Sequence, residues 1–334
     1  MSALERPLRI GTRGSALALW QAREVARRLE AIGEASEIVV IRTSGDRLSQ
    51  LPNADTLPIP GTGPIAESGK RLFVKEIEDA LLAGSIDLAV HSTKDLPVVL
   101  PPDLVIAAFL PRATPWDAIV LPARHAGVPH TLAAVSAVLG STPILGTSSI
   151  RRITQLHRLL PGATFEPIRG NVDTRLRKVD EGHYDAIVLA CAGLERVGFG
   201  HRISLALPVT ACVPAPGQGA VGVERRADAP AALVSCLAAL DDAPTRAEVV
   251  AERIVVDILE GGCQAPIGAL ARASLDGSLE LQASVTSLDG DELRGIAFGS
   301  INDPVGLGRK VAAQLLADGA ADLLARSVVE RGEV

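Results

Sequence analysis

Aromatic side chains are scarce: two Trp, one Tyr and five Phe among 334 residues. A chain this poor in rings has no stacking platform for single-stranded nucleic acid, and its core must be built from Ala, Leu, Val and Ile. Positive charge in excess is also missing. The formal net charge is −6 and the pI about 5.6, so the chain as a whole repels duplex DNA. Any anionic partner must be met by a local basic cluster. Cysteine is sparse, and Cys191, Cys212, Cys236 and Cys263 lie far apart with no Cys-x-x-Cys pair. That spacing argues against a zinc site or a disulfide framework and fits a reducing, cytoplasmic setting. The N-terminal Met-Ser-Ala-Leu-Glu-Arg-Pro lacks the apolar segment of an export signal. Two uncharged stretches, 131–150 and 203–223, are long enough to span a bilayer, but Gly, Pro and Ser/Thr interrupt both. They are expected to form short strands and loops, with no membrane partner.

What is present is organised around Ile86–Pro97. Leu88-Ala89-Val90 reads as a buried, parallel strand, and His91, Ser92, Thr93, Lys94 and Asp95 crowd its carboxyl end. Ligands of open α/β sheets bind at such ends. Lys94 and Asp95 as a mere solvated turn is the competing reading.

The length allows two or three domains. Strands are expected at 8–11, 38–41, 88–90 and 104–109, with helices at 16–29, capped by Ser15, and from Leu72. A long connection runs from Gly45 to Gly69, rich in Pro and Gly, in the manner of a lid. The chain crosses into a second α/β unit between Phe109 and Asp117. There, strands at 119–121, 144–145, 164–168 and 186–189 are expected with helices at 150–160 and 172–181. Residues 213–219 read as a hinge back to the first unit. A helix from Pro244 to about Leu259, three meandering strands and two closing helices follow, with Asp276-Gly277 and Asp289-Gly290 as turns. The resulting division is 1–112 with 217–240, 113–216, and a small α+β unit at 241–334.

Three strand-to-helix junctions carry similar chemistry: Ile10–Ser15, Leu145–Arg152 and Ile168–Asn171. Each offers free backbone N–H groups, a hydroxyl or amide, and arginine, which together hold carboxylates or phosphates. Between Gly146 and Lys178 seven Arg and Lys face two acids, a local surplus of five positive charges. Arg151 and Arg152 fall in a helix's first turn, where the macrodipole disfavours cations, and such a broken rule marks functional sites. Several arginine forks imply a ligand with several acidic groups; a solvated basic face is the alternative. Cys263 lies on a Gly-Gly loop, open to the roles of nucleophile, covalent anchor or inert thiol. His91 reads either as a base or as a structural residue. No Ser/His/Asp set, P-loop or metal cluster can be assembled.

The motifs Thr12-Arg13-x-Ser15-x-Leu17-Ala18-Leu19-Trp20-Gln21-Ala22, Leu72-Phe73-Val74-Lys75-Glu76 and His91-Ser92-x-Lys94-Asp95-x-Pro97 occur in one order with four others. These are Gly146-Thr147-Ser148-Ser149-x-Arg151-Arg152, Arg169-Gly170-Asn171-Val172-x-Thr174-Arg175-Leu176, Gly217-Gln218-Gly219-Ala220 and Glu260-Gly261-Gly262-Cys263-Gln264. From residue 8 to at least 270 the chain resembles the porphobilinogen deaminase (hydroxymethylbilane synthase) family. The resemblance implies two periplasmic-binding-protein-like α/β domains plus a small α+β C-terminal domain. It implies a transferase, acting as a monomer, that joins four porphobilinogen units head to tail with release of ammonia. Cys263 matches the thioether anchor of a dipyrromethane cofactor, and Asp95 matches the catalytic aspartate. Lys94, Arg13, Ser15, Arg151, Arg152, Arg169, Arg175 and Arg196 match positions that bind acetate and propionate groups. Thr147, Ser148, Ser149 and Asn171 match contacts at the two helix mouths. The chain departs from the family pattern at Ala66, at Ser68-Gly69-Lys70-Arg71 and at Trp116. A solute receptor of like architecture, and an enzyme using Cys263 directly as nucleophile, are the rival readings.

Overall fold

A computed structural model of the protein describes residues 6–49, 71–259 and 265–329. The first unit begins with β1 (Leu8–Thr12), α1 (Ala16–Ala31), β2 (Ser36–Val40), α2 (Ser44–Ser49), α3 (Arg71–Leu82), β3 (Leu88–Ser92) and β4 (Leu104–Phe109). Ser15 is extended and its hydroxyl accepts from the Ala18 N–H at 3.3 Å, which starts α1. Ala18, Ala22, Val25 and Leu29, spaced four, three and four apart, put one face of that helix in the core.

The chain then builds β5 (Asp117–Val120), α4 (Leu132–Leu139), β6 (Ile144–Gly146), α5 (Ile150–Leu159), β7 (Thr164–Glu166), α6 (Val172–Asp180), β8 (Ala186–Ala190), α7 (Cys191–Arg196) and β9 (Leu205–Ala206). It returns as β10 (Val221–Arg226) and α8 (Ala231–Ala238).

The two five-stranded sheets have the same plan. Their orders are β2-β1-β3-β10-β4 and β7-β6-β8-β5-β9. In each, three strands run parallel and the fourth in order is antiparallel to both neighbours. That antiparallel strand is the first one made after the chain crosses from the other sheet. β3 is therefore parallel to β1 but antiparallel to β10, so the expectation of a parallel strand holds on one side only.

The remainder is α9 (Ala243–Ile258), a meander of β11 (Ile267–Ala273), β12 (Ser278–Thr286) and β13 (Glu292–Ser300), then α10 (Pro304–Ala317) and α11 (Ala320–Val329). Gly277 and Gly290 take φ of +82° and +92° at the two expected turns. Helices α9 and α10 cover the meander through Ala251, Val255, Leu281, Val285, Val311 and Leu315.

Some expectations need correcting. The stretch from Thr131 is helical over α4, because the Thr131 hydroxyl caps the Ala134 N–H and Val135 and Leu139 share one buried face. Gly140, at φ +72°, stops it. The connection expected from Gly45 opens as α2, where Glu76 accepts from both the N–H and the hydroxyl of Ser44; residues 50–70 lie outside the described residues. Strands at 221–226 and helices at 191–196 and 231–238 also carry order that periodicity alone left unassigned. No helix among the described residues is long and apolar enough to cross a membrane.

The two crossings lie side by side and are tied to the third unit. Arg112 donates to Glu252 at 2.6 and 3.1 Å, to Glu248 at 3.3 Å and to the Gln218 carbonyl at 2.9 Å. Glu252 also accepts from the Gly217 N–H at 2.6 Å and the Ala271 N–H at 2.8 Å. Gly217 has φ +73°, and a Cβ there would stand 2.7 Å from Thr93. Gly219, at φ +87°, passes against the Ala113 carbonyl. Only glycine permits that conformation and that closeness together.

Candidate active site

The buried strand β3 delivers Thr93, Lys94 and Asp95 as one turn of 3-10 helix at its carboxyl end. Leu96, 1% exposed, pins the turn from below, and the Thr93 N–H donates to the Ala220 carbonyl at 3.1 Å. Lys94 and Asp95 are half-buried and point into the space between the two sheets. Opposite them lie the mouths of α5 and α6.

Lys94 Nζ donates to Gln218 Oε1 at 3.2 Å. Gln218 Nε2 in turn donates to the Pro115 carbonyl at 2.7 Å and to Asp117 Oδ1 at 3.1 Å. Asp117 is fully buried and also receives Arg151 at 2.8 Å and Arg152 at 2.9 and 2.7 Å. Burial alone would raise the Asp117 carboxyl, but the two guanidinium groups overcome it and hold the group well below the usual carboxylate range. Burial lowers the Lys94 ammonium to about 8, with Arg152 adding to the effect and Asp95 and Asp117 opposing it.

This network explains the two cations in the first turn of α5 and qualifies the sequence reading of them. Arg151 and Arg152 are not free forks. They share one buried carboxylate, and each also donates at 2.7 Å to a backbone carbonyl, of Val213 and Val188 respectively. Three cations around Asp117 leave a surplus of two positive charges, of which Asp95, the other acid at this edge, balances one.

Two cavities meet at this turn. One, of about 260 Å³, lies between the turn, the mouth of α5 and the third unit, bordered by Ser148, Ser149, Arg151, Arg253, Ala265 and Ile267 among others. The other, about 420 Å³, has an apolar wall of Leu17, Phe73, Leu189, Val197 and Phe199 and polar borders at Arg13, Ser15, Asn171, Asp173 and Arg175. Lys94, Asp95 and Arg152 border both.

Arg13 stands over the Phe73 ring at 4.4 Å and donates to Asp46 at 3.0 and 2.5 Å. Asp46, steadied by the Thr43 hydroxyl at 2.8 Å, is held below its ordinary pKa although burial opposes this. At the mouth of α5 the Ser148 hydroxyl bridges the N–H and carbonyl of Ile168, both at 3.1 Å, and buried Thr147 accepts from the Ser149 N–H at 3.3 Å. The Ser149 and Asn171 side chains cap nothing, which leaves the first-turn N–H groups of α5 and α6 to a ligand. Arg175 donates to the Gly170 carbonyl at 2.8 Å, fixing it across that mouth.

Not every expected residue is gathered here. Arg169 and Arg196 border neither cavity. Arg196 lies 5.3 Å over the Trp20 ring and donates to the Gly219 carbonyl at 2.6 Å, with its pKa lowered to about 10 by burial. Cys263 falls outside the described residues, as do Ala66, Ser68, Gly69 and Lys70. Ala265, two positions beyond Cys263, borders the smaller cavity. Burial pushes the thiols of Cys191 and Cys212 up to about 12 and that of Cys236 to about 11, so these three are inert. Trp116 is accounted for by Arg272, whose guanidinium lies 4.5 Å over its ring.

Sequence reasoning missed four contributors. Gln218 was inside a quoted motif without a role, and Phe73 likewise. Asp117 was legible only as a lone acid at a strand start, and Arg253 gave no signal.

Two family models match in succession: "Porphobilinogen deaminase, dipyromethane cofactor binding domain" over residues 8–233, and "Porphobilinogen deaminase, C-terminal domain" over 246–317. Among curated relatives named porphobilinogen deaminase, that of Desulforudis audaxviator is 46% identical, covering 97% of this chain and 98% of its own. Those of Nocardia farcinica and Synechococcus elongatus are 44% and 41% identical, each over 97% of this chain and 89% and 96% of theirs. Solved structures with some likeness include an ancestral cationic amino acid solute binding protein, at 14% identity and a TM-score of 0.39 over 70% of this chain and 86% of that one. By full-length identity and by both family models, the chain belongs to the porphobilinogen deaminase family.

Proposed function

We propose that the cleft joins four porphobilinogen units into hydroxymethylbilane, with Asp95 as the catalytic carboxylate and Cys263 as the anchor of the dipyrromethane. The observation that carries this reading is the shared edge: Lys94, Asp95 and Arg152 border both cavities at once. A group bound in one cavity and a group arriving in the other are therefore brought together beside the same carboxylate. The residues suit an acidic, pyrrole-based cofactor. Ser149 borders the smaller cavity and caps no N–H of α5, so the first-turn N–H groups there, with Arg151, supply donors to it. When bound, the dipyrromethane supplies the pyrrole terminus to which the first porphobilinogen adds.

The chain's own part is binding, orientation and charge. Arg13, Arg152 and Arg175, with the mouths of α5 and α6, hold acetate and propionate groups. Thr147, Ser148 and Ser149 shape the first of those mouths, Asn171 the second, and Ser15 lies beside Arg13; Arg151 and Lys94 serve the smaller cavity. Arg169 and Arg196 support this set from outside the cavity linings. The apolar wall around Phe73 accepts the flat pyrrole ring. As ammonia departs from the protonated aminomethyl group with the C–N electron pair, positive charge spreads over the methylene carbon and the pyrrole nitrogen. The fixed Asp95 carboxylate stabilises that charge as it develops. Tethering at Cys263 makes each addition effectively intramolecular. In this reading domain 1 comprises 1–112 with 217–240, domain 2 comprises 113–216 and domain 3 comprises 241–334, and the enzyme works as a cytoplasmic monomer.

Intact mass and turnover test this together. The purified protein is expected to carry a covalent excess of two linked pyrroles, lost in Cys263→Ser. Asp95→Ala is expected to keep the fold and lose at least about a hundredfold in kcat. Near-normal turnover by Asp95→Ala overturns its role.

A further inference from the structure

A third cavity, of about 60 Å³, branches from the larger one. Both are bordered by Arg13, Ser15, Phe73 and Asp95, but only the branch reaches Gln21, His91 and Ser92. His91 stands there 5% exposed. Behind it β10 brings the fully buried Glu224 to 3.2 Å from His91 Nε2. The register accounts for the meeting. Glu224 pairs with Ala89, so it emerges on the same sheet face as His91, while the residue opposite His91 is Gly222, which leaves the ring room.

The pair is costly as it stands. His91 Nε2 and both Glu224 carboxylate oxygens are buried without an aligned hydrogen bond. A fold gains little from buried ionisable groups so poorly satisfied, and such groups beside a cleft point to proton handling.

We infer that His91 and Glu224 form a proton-exchange pair that serves Asp95 through water held in the branch. The inference rests on the role of Asp95 proposed above. The branch has room for about two water molecules, at roughly 30 Å³ each. Asp95, Ser15 and Ser92 offer polar partners, Ser92 being oriented by the Gln21 amide at 2.8 Å, and Arg13 adds a cation. Each addition releases one proton from the pyrrole carbon that gains the new bond; the Asp95 carboxylate takes it and passes it to a bridging water, and a proton of that water passes to His91. Asp95 ends as carboxylate and His91 as imidazolium, met by the Glu224 charge. The reverse transfer, by way of Asp95 to solvent in the open cleft, resets the pair between additions. His91 does not border the cavities proposed for substrate and cofactor, so it is a positioning residue acting through Asp95.

The test uses the full-length, cofactor-loaded protein. His91→Gln and Glu224→Gln are expected to keep wild-type intact mass and KM within twofold, to lower kcat about tenfold, and to lose one limb of the kcat–pH profile. Independently of those variants, the His91 ring resonances of the otherwise unaltered protein are expected to move on Asp95→Asn. A folded His91→Gln protein with wild-type kcat and pH profile overturns the inference, as do His91 resonances indifferent to Asp95→Asn. Full turnover by Asp95→Asn instead overturns the role of Asp95 itself, which separates the two failures.

Discussion

Two buried clusters of acid and arginine lie within this fold, and their stoichiometry is opposite. At the mouth of α5 one acid, Asp117, serves Arg151, Arg152 and, through Gln218, Lys94. At the hinge two acids, Glu248 and Glu252, serve one arginine, Arg112. At Asp117 the guanidinium groups overcome burial and the carboxyl is lowered; at Glu252 burial outweighs Arg112 and the carboxyl is raised. Burial is the same in both, so the difference lies in how many cations each acid answers. The surplus of cations faces the cleft, and in the proposed reading acidic ligands complete the balance. The Arg112 cluster is closed on itself and on three backbone N–H groups, of Gly217, Ala271 and Ala273, and so serves the scaffold.

The largest expected effect comes from breaking the cleft cluster. Asp117→Ala leaves two buried guanidinium groups without their carboxylate and is expected to cost about 3–5 kcal/mol, read as a fall in urea midpoint. Because the folded carboxyl is lowered, its contribution is present above the unfolded value of 3.8 and is lost as pH falls. The wild-type advantage over Asp117→Ala should therefore shrink in acid; an advantage that grows there contradicts the arrangement.

Glu252→Ala comes next. It strands Arg112 in part, since Glu248 remains at 3.3 Å, and is expected to cost about 2–3 kcal/mol. The loss should appear in stability with carboxylate affinity little changed, whereas Asp117→Ala should disturb both. Equal losses of affinity in the two variants would erase the distinction between scaffold and site.

The smallest effect is one of pH. With Lys94 lowered to about 8, the cleft loses a cation as pH rises through that value, and KM for an acidic substrate should climb about tenfold and level off once the lysine is neutral. In stability the sign is the reverse: the unfolded lysine, at 10.5, still binds its proton between the two values, so this residue's contribution rises with pH there. Lys94→Gln should flatten the KM profile, and a climb that survives the substitution assigns it to another group.

Much of this was legible in the sequence. Alternation and caps placed most strands and helices to within a few residues, because Ser15, the β-branched runs and the Asp-Gly turns act locally. The cleft's basic surplus was legible as charge counting between Gly146 and Lys178. What sequence could not show was pairing across distance. Arg151 and Arg152 meet Asp117 from more than thirty positions away, and Gln218 reaches Lys94 across 124 positions. Arg196 carries the same charge as its fellows but is turned onto Trp20. Such choices are made by packing, and one-dimensional pattern carries no record of them.

The exchange of strands between the sheets has a consequence for how the protein is made. β10 lies between β3 and β4, so the first sheet is left divided until residue 226 has emerged from the ribosome. By then every strand of the second sheet has been synthesised. The later half of the bilobed body can thus close before the earlier half. The turn bearing Asp95 gains its neighbour on that side only when the nascent chain doubles back, so this edge of the cleft is completed late in synthesis.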